Sequence, residues 1–576
     1  MFLKKVSVLS VVLAVMTMMV YADGEALPLP AEPAALEAAG IRALQQTWPE
    51  LDGSGVTIAA VCRSMTYFNN LPQNDYRFNM HHYSLRDADV VFEDYSDGKH
   101  GISPHSTAVA GVLIGLDPLG KLTDGTAFDY RGVSPLASLE VFEFWRFTAL
   151  WLFGQKPIVA DVITLSLGDI YEAWWTRAIE QLAAENGTVV VAAIGNGLAA
   201  RDTTLYPAAG ANVIGVGVIG SVVDADGNTV LGDFAVPTAQ LSSQGPTDDL
   251  RSKPDLVAPG TAIIPDAYTE NGYSVLTNAS SLAAPITAGT AALLLQKAAQ
   301  DEVLPSAMAD APINCIIKAV LMNSARKLPY WHKGDVTEDD DLYRPLDRLQ
   351  GAGALDAAAA MAQLTAGQQS PGEVSPLGWD SHAIEPAQTN FYIIDATEAG
   401  DRLTATLTWN RHYENQYPFQ LKPEQSDLRL ELWAIDPNAP DGVILLDVSD
   451  SPVDTVEHLW TPLLEDVSHY MLAVRFSPDA VQPMLDVERF ALAWSVGSDL
   501  SAGHPLWEDL NGDGRIDAWD SLIKALLEQN DGTLEPLDPA FNEQVLGLSP
   551  ERAELLTTLW PLWRPHLVSE PDLSIE

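Results

Sequence analysis

The sequence predicts an α/β domain with a parallel sheet, followed by an antiparallel β-sandwich and a small calcium-loop module. Between residues 51 and 365, short apolar runs rich in β-branched residues alternate with helical segments, which is typical of a parallel sheet covered by helices. From Asn390 onward the apolar residues alternate with a period of two, which favours short antiparallel strands. An Asp- and Gly-rich stretch at 509–520 has the spacing of a calcium-binding loop.

Length, charge and the N-terminus limit what the chain can be. Its 576 residues exceed what one core supports, and its formal net charge of −46 disfavours nucleic acid and anionic membranes as partners. Lys4 and Lys5 precede an apolar run that ends in a small-residue cleavage site at Ala22, so residues 1–22 are predicted to be an export signal. We therefore expect a secreted, periplasmic or cell-surface protein that has no membrane partner after signal cleavage.

The predicted elements of the α/β region follow one another along the chain. Residues 23–50 form a short N-terminal segment, in which Leu36–Trp48 has the periodicity of one helix. The alternating region 51–365 follows it. Its predicted strands are Gly55–Val61, Leu139–Phe142, Val162–Leu167 and Val189–Ala193, and its predicted helices include His105–Gly115 and Tyr171–Glu185. In such a sheet, functional groups gather where strands end and helices begin.

Three polar side chains fall at such positions. His105 opens a helix, Asn196 follows the last of these strands, and Ser281 opens a buried helix in which Pro285 is expected to lie in the first turn. A serine at a helix N-terminus lies beside unpaired N–H groups, which favours an oxyanion, and it needs a base that is usually histidine. A side-chain amide can donate to the oxyanion. The alternatives are a serine N-cap, a helix-terminal histidine and an asparagine in a turn.

The sequences around these residues resemble those of the subtilisin-like serine peptidases, the subtilases. The similar blocks, in the family's order, are 105–111 (HSTAVAG against HGTHVAG), 194–196 (IGN against AGN) and 279–285 (ASSLAAP against GTSMAAP), with further agreement at 241–246, 253–260 and 317–325. The resemblance covers roughly residues 40–365, and the agreement of several ordered blocks makes it specific.

The resemblance implies an exported serine endopeptidase that hydrolyses polypeptides. It implies that Ser281 is the nucleophile, that His105 is the general base, and that Asn196 donates to the oxyanion beside the Ser281 backbone N–H. It also implies a strand edge that pairs with the main chain of an extended substrate, because an exposed edge offers unpaired N–H and C=O groups. That edge would be formed by Ser166, Leu167 and Gly168.

One member of the family's catalytic triad is missing. Cys62 stands where the family has an aspartate, and a neutral thiol cannot stabilise an imidazolium as a carboxylate does. In serine peptidases the loss of that aspartate costs about 10⁴-fold in rate, so the sequence predicts an impaired enzyme. The alternative is a non-catalytic relative, a pseudopeptidase, that binds peptide or a partner protein. The acids that could rescue the base are Asp75, Asp87, Asp89, Asp94 and Asp97.

Two regions follow the catalytic one. Residues 366–389 hold Gly, Pro, Gln and Ser and are predicted to be a linker. Residues 390–497 carry short strands separated by Asp, Pro, Gly and Asn, which predicts the β-sandwich and resembles the jelly-roll-like domains appended to many bacterial subtilases. We expect this domain to support the catalytic domain, with substrate, cell-wall material and calcium as alternative ligands.

Residues 498–530 are predicted to be a dockerin-like or EF-hand-like calcium module. Its loop places side-chain oxygens, one backbone carbonyl and the flexible Gly514 at calcium-loop positions. The expected ligands are Asp509, Asn511, Asp513, Arg515 through its carbonyl, Asp517 and Asp520. The loop resembles one dockerin repeat, which implies Ca²⁺ and a cohesin-type partner, whereas the alternative is a surface turn without metal. No organic cofactor is expected, and the tail at 531–576 predicts no function.

Overall fold

The computed structural model describes most of the chain between residues 34 and 497. The described ranges are 34–63, 67–68, 71–72, 76–93, 101–121, 127–152, 159–197, 204–223, 229–235, 237, 241–301, 311–328, 331–334, 340–396, 402–464, 466–480 and 483–497. The predicted export signal, calcium module and tail lie outside these residues and stay predictions. Of the helices that the structure describes, none is both long and apolar enough to cross a membrane.

The described helices differ from the prediction mainly near the N-terminus. They are α1 Ala34–Ala38, α2 Ile41–Thr47, α3 Pro104–Ile114, α4 Phe144–Phe147, α5 Trp174–Asn186, α6 Ser280–Gln300, α7 Ile313–Asn323 and α8 Ala357–Thr365, with a π-helical turn at Thr148–Leu152. The single helix predicted at Leu36–Trp48 is wrong, because the helix is interrupted at Gly40, which has a φ of 71° and lies between α1 and α2. The left-handed backbone there is open to glycine at little cost.

A largely parallel sheet organises the first part of the structure. The strands described in this part are β1 Thr57–Cys62, β2 Tyr67–Phe68, β3 Leu71–Pro72, β4 Val90–Glu93, β5 Leu116–Lys121, β6 Ala127–Arg131, β7 Ser138–Glu143, β8 Val162–Leu165, β9 Val189–Ala193, β10 Ile214–Val223, β11 Thr229–Ala235, β12 Leu256–Pro259, β13 Ala262–Pro265 and β14 Tyr273–Leu276, and eight of them form the main sheet. The order is β11-β10-β9-β8-β1-β7-β4, with β12 beside β10, and only β11 pairs antiparallel. The predicted parallel sheet is confirmed.

Helices cover both faces of this sheet, as the alternation along β1 shows. Ile58, Ala60 and Cys62 join the core formed with α3 and α6, whereas Ala59 and Val61 join the core formed with α5. A strand buried on both faces reads as a continuous apolar run, which is why the sequence pattern identified it. The small residues of α6 allow close packing, since a Cβ on Gly289 would come within 2.6 Å of Val133 Cβ.

The second part of the structure is a β-sandwich that includes the predicted linker. Its strands are β15 Gly372–Val374, β16 Leu377–Ile384, β17 Thr389–Asp395, β18 Arg402–Trp409, β19 Leu428–Ile435, β20 Val443–Ser449, β21 Val456–Pro462, β22 His469–Phe476 and β23 Glu488–Gly497. They form sheets of order β15-β17-β22-β19-β20 and β16-β23-β18-β21. The linker prediction at 366–389 is wrong for β15 and β16, and β16 buries Trp379 to 1% exposure. The sequence pattern missed β16 because Asp380 looks like a loop residue. In the structure its buried carboxylate accepts a hydrogen bond from the Tyr392 hydroxyl.

The four-stranded sheet packs directly on α7 and α8. Thr408 Oγ1 donates to the Cys315 carbonyl at 2.9 Å, and Gln363 Nε2 donates to the Trp494 carbonyl at 2.8 Å. Trp379 belongs to the same apolar core as the helices of the first part. The two parts of the chain therefore share buried contacts instead of meeting through a flexible connection.

A loop of the sandwich, residues 412–421, extends along α5. Tyr413 Oη donates to the buried Glu180 carboxylate at 3.0 Å, and Arg177 Nη2 donates to the Pro418 carbonyl at 3.2 Å. At its far end the Tyr417 ring packs edge-on against Trp174, the first residue of α5, with ring centroids 5.6 Å apart. The 412–421 loop thus follows α5 back to its N-terminus.

Candidate active site

The nucleophile candidate, Ser281, is the second residue of α6 and is half-buried. The N-cap residue Ala279 has no side-chain oxygen, so another residue must satisfy the helix N-terminus. Asn196 does so, because its Oδ1 accepts from both the Ser280 backbone N–H and the Ser280 hydroxyl, each at 2.7 Å. The contact from Ser280 was not foreseen, although Ser280 lies in the same polar turn that indicated Ser281.

The orientation of the Asn196 amide follows from this contact. A backbone N–H can only donate, so the atom that faces Ser280 must be Oδ1 and the donor Nδ2 must lie on the other side. Asn196 Nδ2 makes no hydrogen bond to a residue that the structure describes. One side-chain amide therefore caps the nucleophile's helix and keeps a donor that has no partner among the described residues.

Pro285 gives the Ser281 main chain an unusual partner. Counted from Ser280, Pro285 lies in the second turn of α6, which corrects the expectation that it occupies the first. Since proline has no N–H, the carbonyl of residue 281 loses the partner that an α-helix would supply. Ser166 Oγ donates to that Ser281 carbonyl at 2.9 Å instead.

The predicted substrate edge follows a strand without belonging to it. Strand β8 ends at Leu165, so the predicted strand Val162–Leu167 is too long by Ser166 and Leu167. The main-chain groups of Leu167 and Gly168 pair with no described residue. Gly168 has no room for a side chain, because a Cβ there would lie 2.8 Å from Leu205 Cβ.

The base candidate, His105, is the second residue of α3 and is half-buried. Burial lowers the pKa of the imidazole from 6.5 to about 4, and no carboxylate among the described residues offsets this effect. Within the described ranges the ring forms no hydrogen bond, with Ser281 or with any other residue. His105 is therefore neutral at pH 7, as a base must be, and no described residue supports its protonated form.

None of the described aspartates near His105 in sequence supports it. Asp87 pairs with the exposed Arg86 at 3.3 Å, and Asp89 accepts from Ser138 Oγ at 2.6 Å. Asp75, Asp94 and Asp97 lie outside the described residues, so their rescue of the base stays a prediction.

Cys62 is the last residue of β1 and pairs in register with Glu143 of β7. Burial raises the pKa of its thiol to about 11; the adjacent Ser106 hydroxyl lowers this pKa and the Glu143 carboxylate raises it. The thiol is therefore neutral, which agrees with a weakened triad. The Ser106 hydroxyl is buried beside this thiol and donates to no oxygen or nitrogen of the described residues. Cys62 and Cys315 are both free thiols.

The structure describes no candidate metal site. Its described residues contain no group of three or more His, Cys, Asp or Glu side chains that could hold a metal ion. The predicted ligands between Asp509 and Asp520 lie beyond residue 497, where the described ranges end. Calcium binding by that loop therefore stays a prediction.

Comparison with known proteins leads to the same family as the sequence motifs. The chain is 29% identical to the serine protease AprX of Bacillus subtilis over 291 residues, which are 46% of this chain and 62% of that protein. It is 30% identical to subtilisin amylosacchariticus of Bacillus subtilis subsp. amylosacchariticus, over 35% of this chain and 47% of that protein. The chain thus spans less than two thirds of each of these relatives.

A solved structure and a family profile complete the comparison. The structure of the prenylagaramide maturation protease PagA overlaps 55% of this chain and 97% of its own, at 22% identity and a TM-score of 0.35, which is too low to establish a common fold. The profile of the subtilase family, Peptidase_S8, matches residues 53–353, more than half of the chain. This chain belongs to the subtilase family.

Proposed function

We propose that this protein is a serine endopeptidase that cleaves polypeptides through an acyl intermediate on Ser281 and is impaired by Cys62. The arrangement of Asn196 supports the proposal most directly, since its acceptor is held by Ser280, the neighbour of the nucleophile, while its donor has no partner among the described residues. Such preorganised donors act on the charge that develops in the transition state and need no reorganisation there. Membership of a family of serine endopeptidases supports the same reaction class.

The proposed reaction begins with an extended peptide paired to the main chain of Leu167 and Gly168. The Ser281 hydroxyl attacks the scissile carbonyl, and the neutral His105 takes its proton. The negative charge on the carbonyl oxygen is stabilised by Asn196 Nδ2 and the Ser281 N–H. His105 then protonates the leaving amine, and water hydrolyses the acyl-enzyme. The step that suffers is formation of the imidazolium, because Cys62 offers it no charge.

A second candidate function is binding without hydrolysis. The neutral thiol at Cys62 and the absence of a described partner for His105 favour it, since an open edge binds peptide whether or not the serine reacts.

Fluorophosphonate labelling of the purified full chain, with calcium present, separates the two candidates. If Ser281 is an activated nucleophile, the natural sequence will be labelled above the Ser281→Ala blank, at a rate well below that of an intact triad. Labelling equal to the blank, both in the natural sequence and in Cys62→Asp, would contradict the assignment of the nucleophile. Labelling confined to Cys62→Asp would favour the binding function.

The double role of Asn196 gives a sharper prediction. Asn196→Asp keeps an oxygen for Ser280 but removes the Nδ2 donor, so labelling should slow by about 10²- to 10³-fold while the thermal midpoint stays unchanged. Asn196→Ala removes both functions and should also cost about 1 kcal/mol of stability, as the loss of a helix cap does. Labelling rates and melting curves in a Cys62→Asp background measure both effects. A rate unaffected in Asn196→Asp would exclude the oxyanion role.

The remaining parts of the function are proposed from the sequence alone. They are export through residues 1–22, calcium binding at 509–520, and docking of that loop to a cohesin-type or cell-wall partner. Support of the catalytic part by the β-sandwich is also proposed, and the buried contacts of β18 and β23 with α7 and α8 favour it.

A further inference from the structure

Ser166 touches the nucleophile's own main chain, which the role of a substrate edge does not require. Its hydroxyl is the donor to the Ser281 carbonyl, at 2.9 Å. That carbonyl needs an outside donor because Pro285, four residues later, supplies none. The two features explain each other: the proline opens an acceptor and the serine occupies it.

The position of Ser166 gives this contact a functional meaning. Ser166 follows β8 and directly precedes Leu167 and Gly168, whose main-chain groups pair with no residue that the structure describes. A single residue therefore joins the edge where a peptide would lie to the backbone of the residue that would attack it. Small misplacements of a nucleophile are costly, because near-attack geometry is narrow.

We infer that Ser166 is a positioning residue, which holds the Ser281 main chain through the acceptor that Pro285 leaves open and so fixes the attacking hydroxyl relative to the substrate edge. The inference rests on the proposed peptidase function. It does not require that Ser166 contact substrate or reacting atoms. Its effect should fall on the reaction step and leave initial binding of a small reagent unchanged.

A double-mutant cycle tests this inference through the dependence of Ser166 on Pro285. The variants are Ser166→Ala, Pro285→Ala and their combination, in full chains with natural Cys62 and with Cys62→Asp. In Pro285→Ala the new N–H of residue 285 can reach the Ser281 carbonyl, so the hydroxyl of Ser166 becomes dispensable. The measured quantities are the maximal rate and the half-saturating concentration for labelling by a fluorophosphonate.

We expect Ser166→Ala to lower the maximal rate about tenfold without moving the half-saturating concentration. In the Pro285→Ala background the same change should cost less than about twofold, and Ser166→Thr, which keeps a hydroxyl, should recover most of the rate. Ser324→Ala is the matched control, because Ser324 Oγ also donates to a main-chain carbonyl, that of Val320 at 2.7 Å, on the distant helix α7. It should leave both quantities unchanged.

Two outcomes would overturn the inference. One is a loss in Ser166→Ala that is equally large in the natural chain and in the Pro285→Ala background; the other is a loss confined to the half-saturating concentration. If no chain is labelled, the proposed function itself fails. Thermal midpoints then test whether the Ser166 hydroxyl holds the Ser281 carbonyl. A lower midpoint in Ser166→Ala only when Pro285 is present supports the contact, and an equal shift in both backgrounds excludes it.

Discussion

Replacing Cys62 by aspartate is expected to accelerate labelling of Ser281 by about 10³- to 10⁴-fold, the factor that the triad carboxylate supplies in serine peptidases. The resemblance implies that residue 62 faces the base, so the imidazolium of His105 that forms as Ser281 attacks would gain a negative charge where the thiol is neutral. Labelling time courses of the two full chains with one fluorophosphonate measure the change. Cys62→Asn is the matched control, because it adds similar bulk without charge and should gain less than about tenfold.

The surroundings of Cys62 are suited to an introduced carboxylate. The buried Ser106 hydroxyl beside it has no oxygen or nitrogen acceptor among the described residues and could donate to the new carboxylate. Glu143, opposite in register, opposes the change by raising the pKa of any acid placed there. Ser106→Ala in the Cys62→Asp chain should therefore reduce the gain. An unchanged rate in that double variant would exclude a role for this hydroxyl.

The pH dependence of labelling reports whether the new carboxylate reaches the base. The neutral form of His105 is the reactive one, so the natural chain should label at a constant rate at neutral pH and slow only as the pH falls towards about 4. An adjacent carboxylate raises the pKa of an imidazole, so the Cys62→Asp profile should fall at a higher pH. Profiles with the same inflection would show that residue 62 and His105 do not interact.

Ending the chain at residue 365 is expected to abolish the cooperative folded state of the first part. The truncation uncovers the apolar faces of α7 and α8, and it removes the Tyr413 hydroxyl that satisfies the fully buried Glu180. Leaving one buried polar group without its partner costs about 1–3 kcal/mol, and several such losses approach the roughly 5–15 kcal/mol that stabilise a domain. Solubility and thermal unfolding of the truncated chain measure the outcome.

A single substitution tests the same interface without removing it. Tyr413→Phe should lower the free energy of unfolding by about 1–3 kcal/mol, since Glu180 loses one donor in a buried site. Tyr343→Phe is the control on a tyrosine that is 53% exposed, and its effect should stay within about 0.5 kcal/mol. A truncated chain that unfolds cooperatively at the temperature of the full chain would show that the sandwich is dispensable for folding.

Sequence patterns predicted the strands that are buried on both faces, because β1, β8 and β9 consist mostly of apolar residues. They failed at β16, where the buried Asp380 is satisfied by Tyr392 from another strand and looks like a loop residue in isolation. They failed again at Gly40, whose left-handed backbone breaks a segment with good helical periodicity. Burial and partner choice depend on residues distant in sequence, and no local pattern reports them.

The same limit applies to the site. Local motifs placed Ser281, His105 and Asn196 at element termini, and the structure places them there. The link from Ser166 to Ser281 joins residues 115 positions apart, and only the position of Pro285 in its helix explains the need for it. Whether His105 has an acid partner could not be predicted either, since sequence separation does not tell which carboxylate comes close.

The 412–421 loop makes the surface at the N-terminus of α5, which follows the proposed substrate edge in sequence, a composite of two parts of the chain. The α5 helix begins at Trp174, shortly after Gly168, and Tyr417 at its N-terminus is 62% exposed. The match to the subtilase family ends at residue 353, well before this loop. The surface that Tyr417 adds therefore lies outside the matched region. Exchanging the sandwich for that of another protein would replace part of the surface at the N-terminus of α5, while leaving every residue of the candidate triad in place.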